Sequence, residues 1–144
     1  TRIGVGGRMD TIQCAVVLAK LERFEWEVEQ RMLIGARYNE FMDEAGIKRV
    51  QQRNDRTSVF AQYTVFINDR EVLQKNLADA GIPIAVHYPI PLNEQPAYKE
   101  LCSSDLTPVA KQVANHVMSL PVGPDLDVEA QGRVVKVLVD SVDA

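Results

Sequence analysis

Residues 87–98, His-Tyr-Pro-Ile-Pro-Leu-Asn-Glu-Gln-Pro-Ala-Tyr, constrain this chain more than any other stretch. Proline fixes φ and removes a backbone donor, so neither a helix interior nor a central strand runs through Pro89, Pro91 and Pro96. The apolar run Ile84-Ala85-Val86 just before reads as a short strand. A stiff loop displaying an imidazole and a phenol at a strand end is a place for chemistry. Both can act as acid, base or hydrogen-bond donor toward a polar ligand. The same side chains could equally satisfy loop backbone groups, and residue types alone leave both readings open.

Around that loop the periodicities alternate between helix and strand. Asp10 with Gln13 three residues on resembles a capping box, followed by Ile12, Ala15, Val16 and Ala19 at helical spacing. Cys14 falls within that pattern and reads as a small core residue. A second helical pattern carries Trp26, Leu33, Ile34, Tyr38, Phe41, Met42 and Ala45 and stops at Gly46. Phe24-Glu25-Trp26 marks a kink between the two, unless they form one bent helix. Trp26 lies among acids on an exposed face, or in an interface. Alternation from Val59 through Ala61, Tyr63, Val65 and Ile67 predicts a strand.

Asn68 then caps a helix with Glu71 at its third position, buried stripe Val72, Leu73 and Leu77, and stop at Gly81. Thr107-Pro108 opens another helix. Met118-Ser119-Leu120 is short enough for an edge strand or connector. After a turn at 121–124, Asp127 caps a last helix carrying Val134, Val135, Leu138 and Val142. The order predicts an α+β fold: a small, mainly antiparallel sheet with helices packed on one side.

Composition excludes several function classes. A net charge of −4 is not that of a general nucleic-acid binder. No stretch approaches the roughly 20 apolar residues that cross a bilayer, and the opening residues lack a secretory pattern. With two distant cysteines, Cys14 and Cys102, a reducing cytoplasm is the expected compartment. His87, His116, Cys14 and Cys102 are too scattered for a zinc site, so no metal is expected. The loop-like start without an initiator methionine reads as a domain of a longer protein, although processing would look the same. Gly4-Val5-Gly6-Gly7 precedes a helix, where backbone N–H groups can hold an anion, but matches no P-loop or dinucleotide fingerprint. Arg8 beside it could make a bidentate contact to a carboxylate or phosphate.

An ordered set of motifs resembles one family. Gly-Arg-Met-Asp-Thr-Ile-Gln (7–13), Ala-Gln-Tyr-Thr (61–64), Gly-Ile-Pro (81–83), His-Tyr-Pro (87–89) with Pro91-Leu92, Gln-Pro-Ala-Tyr (95–98) and Leu120-Pro121 are similar to the DegT/DnrJ/StrS sugar-nucleotide aminotransferases. The resemblance implies the C-terminal part of a dimeric, pyridoxal-phosphate-dependent enzyme of the aspartate-aminotransferase fold. Such an enzyme moves an amino group, usually from glutamate, onto a nucleotide-linked keto sugar. The most similar members act on 3-keto hexuronic acids in lipopolysaccharide O-antigen synthesis. It implies an interdomain loop and long helical segment over 1–45 and a small C-terminal α+β domain over 46–144.

It further implies that Arg8, His87 and Tyr88 bind the nucleotide sugar and that Gly6 and Gly7 lie near the cofactor. No catalytic residue falls within the chain. The Schiff-base lysine belongs to the large domain, and none of Lys20, Lys48, Lys75, Lys99, Lys111 or Lys136 has its context, so the chain alone should be inactive. Two positions depart from the family. Gly6 stands where asparagine commonly contacts the partner subunit's cofactor phosphate, and Asn93 stands where histidine is common. The alternative is a stand-alone α+β binding or regulatory domain without catalysis.

Overall fold

The computed structural model describes residues 6–103 and 106–142. Two helices open it, α1 (Thr11–Leu21) and α2 (Phe24–Glu44). The capping box is present: the Asp10 carboxylate accepts from the Gln13 N–H at 2.8 Å, and the Gln13 side chain accepts from the Asp10 N–H at 3.1 Å. No residue of α1 is buried, so the apolar spacing of Ile12 and Val16 does not mark a core face, and Cys14 is exposed rather than packed. The break between the helices falls at Glu22 and Arg23, just before the expected kink. There the Arg23 guanidinium lies 4.4 Å from the Trp26 ring centroid and pairs with Asp125 at 3.2 Å. Trp26 is thus an exposed aromatic with a cation over its face.

Strand β1 (Tyr63–Phe66) pairs antiparallel with β2 (Val117–Leu120), matching Tyr63 with Leu120, Thr64 with Ser119, Val65 with Met118 and Phe66 with Val117. Short segments extend the pairing on both sides. Arg49 bridges to Val65, and Ala85 bridges to Ser119. The 117–120 segment is therefore central, with all four residues buried, and not the edge strand or connector expected of 118–120. Conversely, 84–86 contributes one bridge instead of a strand, flanked by Pro83 and Pro89, which supply no N–H.

The alternation that began at Val59 becomes a strand only at Tyr63. Phe60 takes φ 46°, a left-handed conformation costly for an aromatic residue, and breaks the extended run. Its ring covers Gly35 of α2 so closely that no Cβ would fit there. Arg31 braces the crossing by donating to the Val122 carbonyl at 2.9 Å and the Phe60 carbonyl at 3.4 Å.

Three more α-helices follow among the described residues: α3 (Arg70–Asp79), α4 (Pro108–His116) and α5 (Val128–Val142). Asp69, not Asn68, occupies the N-cap position of α3, without a side-chain capping bond. Gly46 and Gly81 both adopt positive φ just past the ends of α2 and α3, as the stop signals require. Asp127 caps α5 by accepting from the Ala130 N–H at 2.7 Å.

One face of the sheet, carrying Tyr63, Val65, Met118 and Leu120, packs against Ile34, Tyr38 and Met42 of α2, Leu73 and Leu77 of α3, and Val134, Val135 and Leu138 of α5. Leu33, Val72 and Val142, expected in those stripes, are exposed instead. Polar groups inside this core are tied. The Tyr38 hydroxyl donates to the Pro121 carbonyl at 3.0 Å, and the Tyr63 hydroxyl donates to Asn39 at 2.8 Å. Burial pushes both phenols up from the ordinary tyrosine value. Buried Gln131 links α5 to α2, donating to the Ile34 carbonyl at 2.9 Å and accepting from Arg37 Nε at 2.7 Å.

Candidate functional site

The opposite face of the sheet carries the polar chemistry. Strand alternation turns Thr64 and its partner Ser119 away from the α2–α5 core, side by side, with hydroxyls 3.5 Å apart. The Ala85 bridge extends that row. Ser119 N donates to the Ala85 carbonyl at 2.8 Å, and Ala85 N donates to the Ser119 carbonyl at 3.3 Å. Two residues further, His87 returns to the same face and sets Nδ1 3.1 Å from Ser119 Oγ. Ser119 is 5% exposed, so its hydroxyl depends on these partners.

Tyr88 follows through a cis peptide, its ring edge-on to His87 at 5.6 Å and 70% exposed. Beyond it the chain runs into a 3-10 turn, Leu92–Glu94. Gln95 folds back to donate to the Ile90 carbonyl at 3.3 Å, and Asn93 donates to Thr107 Oγ1 at 2.8 Å. Asn93 thus fastens this loop to the start of α4. Glu94 Oε1 is buried without a hydrogen bond, and Lys111 Nζ stands 3.5 Å away as an ion-pair partner.

Gly6, Gly7 and Arg8 form the exposed approach to α1, where Gly7, Arg8, Met9 and Ile12 line an open groove with Lys20. Gly4 and Val5, the first half of the glycine-rich loop, lie outside the described residues. Among the described residues, no hydrogen bond joins Arg8 to His87 or Tyr88. The structure brings His87 and Tyr88 together and leaves Gly6, Gly7 and Arg8 as a second, separate group. Sequence reasoning missed Ser119 and Thr64, whose roles depend on strand register. It also missed the Glu94–Lys111 pair, whose members come from different elements. Among the described residues no cluster of histidine, cysteine and carboxylate could hold a metal, and no helix is long and apolar enough to cross a membrane.

The family model for the DegT/DnrJ/EryC1/StrS aminotransferases matches residues 1–139. The chain belongs to this family. Over 126 residues it is 45% identical to a UDP-2-acetamido-2-deoxy-3-oxo-D-glucuronate aminotransferase of Pseudomonas aeruginosa, covering 88% of the chain and 34% of the relative. Identity is 32% to a dTDP-3-amino-3,6-dideoxy-alpha-D-galactopyranose transaminase of Aneurinibacillus thermoaerophilus, covering 92% of the chain and 36% of that relative. The fold superposes on a DegT/DnrJ/EryC1/StrS aminotransferase from Brucella abortus with a TM-score of 0.87 and 34% identity, covering 100% of the chain and 39% of that structure. It superposes equally, at 0.87 and 26% identity, on DesV of S. venezuelae solved with a ketimine intermediate, covering 98% of the chain and 38% of that structure. The chain therefore spans little more than a third of these relatives, and the α+β layer is that of one part of an aminotransferase.

Family members use pyridoxal phosphate. A lysine that binds it covalently would be activated by a desolvating pocket or a neighbouring cation. Lys20, Lys48, Lys75, Lys99, Lys111 and Lys136 are all exposed. None of these six lysines is enclosed within the chain itself.

Proposed function

We propose that this chain is the C-terminal part of a pyridoxal-phosphate-dependent aminotransferase acting on a nucleotide-linked keto sugar. Residues 1–45 serve as the interdomain loop and long helical segment, and residues 46–144 as the small C-terminal domain. The observation that carries this reading is the 45% identity to the Pseudomonas 3-oxo-glucuronate aminotransferase across 126 residues. The substrate is accordingly a 3-keto hexuronic sugar nucleotide, glutamate the amino donor, and the product a precursor of surface O-antigen made in the cytoplasm by a homodimer.

Within that enzyme the cofactor supplies the electron sink, and the residues of this chain bind and orient. His87 and Tyr88, on a loop stiffened by Pro89 and Pro91, hold the sugar nucleotide. Arg8 offers a guanidinium to its carboxylate or phosphate. Gly6 and Gly7 leave room for an anion at the entry to the first helix. The bond-making lysine lies in the large domain, and the isolated chain has no transaminase activity.

Two measurements test this. The full reading frame should place some 200 residues, the length of a large domain, ahead of Thr1. In that enzyme His87→Ala and Arg8→Ala should each raise KM for the nucleotide sugar about tenfold or more, the loss of one good polar contact. The isolated chain, incubated with stoichiometric pyridoxal phosphate and reduced with borohydride, should carry no pyridoxyl group concentrated on one lysine, only the sparse labelling that exposed amines give. An adduct concentrated on one of its six lysines, lost when that lysine is replaced, would overturn the proposal.

A further inference from the structure

We propose that Thr64 and Ser119 form a directed hydroxyl chain that fixes the tautomer of His87, so that its outer nitrogen Nε2 is a hydrogen-bond donor toward an acceptor oxygen of the ligand. The neutral imidazole has one N–H and one bare nitrogen, and the group bonded to one nitrogen decides the state of the other. His87 Nδ1 meets Ser119 Oγ at 3.1 Å, and Ser119 Oγ meets Thr64 Oγ1 at 3.5 Å. A serine hydroxyl has a single hydrogen, so the chain can run in two directions. Running outward from His87, the Thr64 hydrogen finds no acceptor among the described residues. Running from Thr64 to Ser119 to Nδ1, both hydroxyl hydrogens are used and the one hydrogen without a protein partner is carried by Nε2, which is not sealed from water, so this direction is favoured.

The backbone makes this arrangement stiff. Ser119 and Ala85 exchange two hydrogen bonds, so the strand ladder, not the imidazole, sets where the serine hydroxyl stands relative to His87. The hydrogen on Nε2 then points outward. This nitrogen has no hydrogen bond among the described residues and is not sealed from solvent, so its hydrogen can be given to water or to a ligand. A donor there suits a carboxylate, a diphosphate or a sugar carbonyl. That the acceptor belongs to a nucleotide sugar rests on the proposed function. The direction of the hydroxyl chain does not. Ser119 and Thr64 are positioning residues, acting through His87.

The second histidine provides an internal reference of opposite sign. His116 Nδ1 lies 3.2 Å from the Ile67 carbonyl, which can only accept, so in His116 the hydrogen sits on Nδ1.

The test is a long-range proton–nitrogen NMR correlation on the chain with nitrogen-15-labelled histidine, recorded with both imidazoles neutral. His87 should show a bare, pyridine-type Nδ1 and a protonated Nε2, and His116 the reverse. Ser119→Ala should move the His87 Nδ1 resonance toward the protonated position as the tautomers mix, whereas Ser119→Thr, which keeps a hydroxyl, should hold it. A wild-type His87 with protonated Nδ1 overturns the proposal, as does a Ser119→Ala spectrum identical to wild type. If Ser119→Ala does not fold, the wild-type assignment still decides. No ligand is needed, so failure here is distinct from failure of the nucleotide-sugar reading, which the KM measurements address.

Discussion

Replacing Gln131 by leucine should loosen the joint between α2 and α5 by about 2 kcal/mol, and the estimate follows from the contacts. Gln131 is 1% exposed, and its amide makes two bonds: one accepted from Arg37 Nε at 2.7 Å, one donated to the Ile34 carbonyl at 2.9 Å. Losing the charge-assisted bond costs about 1.5–3 kcal/mol and losing the neutral one about 1 kcal/mol. Leucine fills a similar volume and needs no desolvation of an amide, which offsets about 1–2 kcal/mol. Arg37 is half-buried and regains water by turning outward, which keeps the net near 2 kcal/mol instead of the larger cost of a trapped charge. With an unfolding entropy of about 2.1 cal/mol/K per residue over 144 residues, Tm should fall by about 6–7 °C. Calorimetry on wild type, Gln131→Leu, Arg37→Met and the double variant closes the cycle. The two sites should couple by at least about 1 kcal/mol. A single-variant loss below about 0.5 kcal/mol, or additive singles, would refute it.

Other outcomes follow from the same contacts. The buried Tyr38 and Tyr63 hydroxyls have folded-state values raised above the ordinary ~10, so they favour the native state while protonated. Their contribution is therefore full below about pH 10 and is lost as pH rises above it, so urea midpoints should fall in alkali, less steeply in Tyr38→Phe. Gly35→Ala places a methyl against the Phe60 ring and should cost about 1–3 kcal/mol by thermal melt; an unchanged Tm would show that Phe60 moves freely. Leu77→Ala in the core should cost about 2–5 kcal/mol in denaturant titration, with a smaller loss meaning that the site collapses onto the gap. Asp10→Ala removes the carboxylate half of the capping box, leaving the bond from the residue-10 N–H to Gln13, and should lower helical circular dichroism, costing about 1 kcal/mol of helix stability.

The elements readable in the sequence were those whose signals are local. The capping box at Asp10 and Gln13, the glycine stops at Gly46 and Gly81, and Pro108 at the start of α4 each act within one or two turns of chain. Burial was harder. The same apolar spacing occurs in α1, where every residue is exposed, and in α5, where Val134, Val135 and Leu138 are buried. Periodicity shows that a helix has an apolar face but not what covers that face. A chain spanning about a third of its relatives' length leaves that question open for α1. The shortness of 118–120 suggested an edge strand or connector, whereas pairing on both sides put it at the centre.

The candidate site divides along the same line. Its residue types were legible: an imidazole and a phenol on a proline-stiffened loop, and an arginine after glycines. Their ordered motifs also carried the family resemblance, because motif order is a property of the sequence itself. The Thr64–Ser119–His87 row was not legible. Thr64 and Ser119 are 55 positions apart, and a shift of one residue in strand register would turn each to the other face. Local covalent and helical physics is written into short stretches of the sequence. Which hydroxyl meets which imidazole nitrogen was decided only when two strands and a bridge were brought into register.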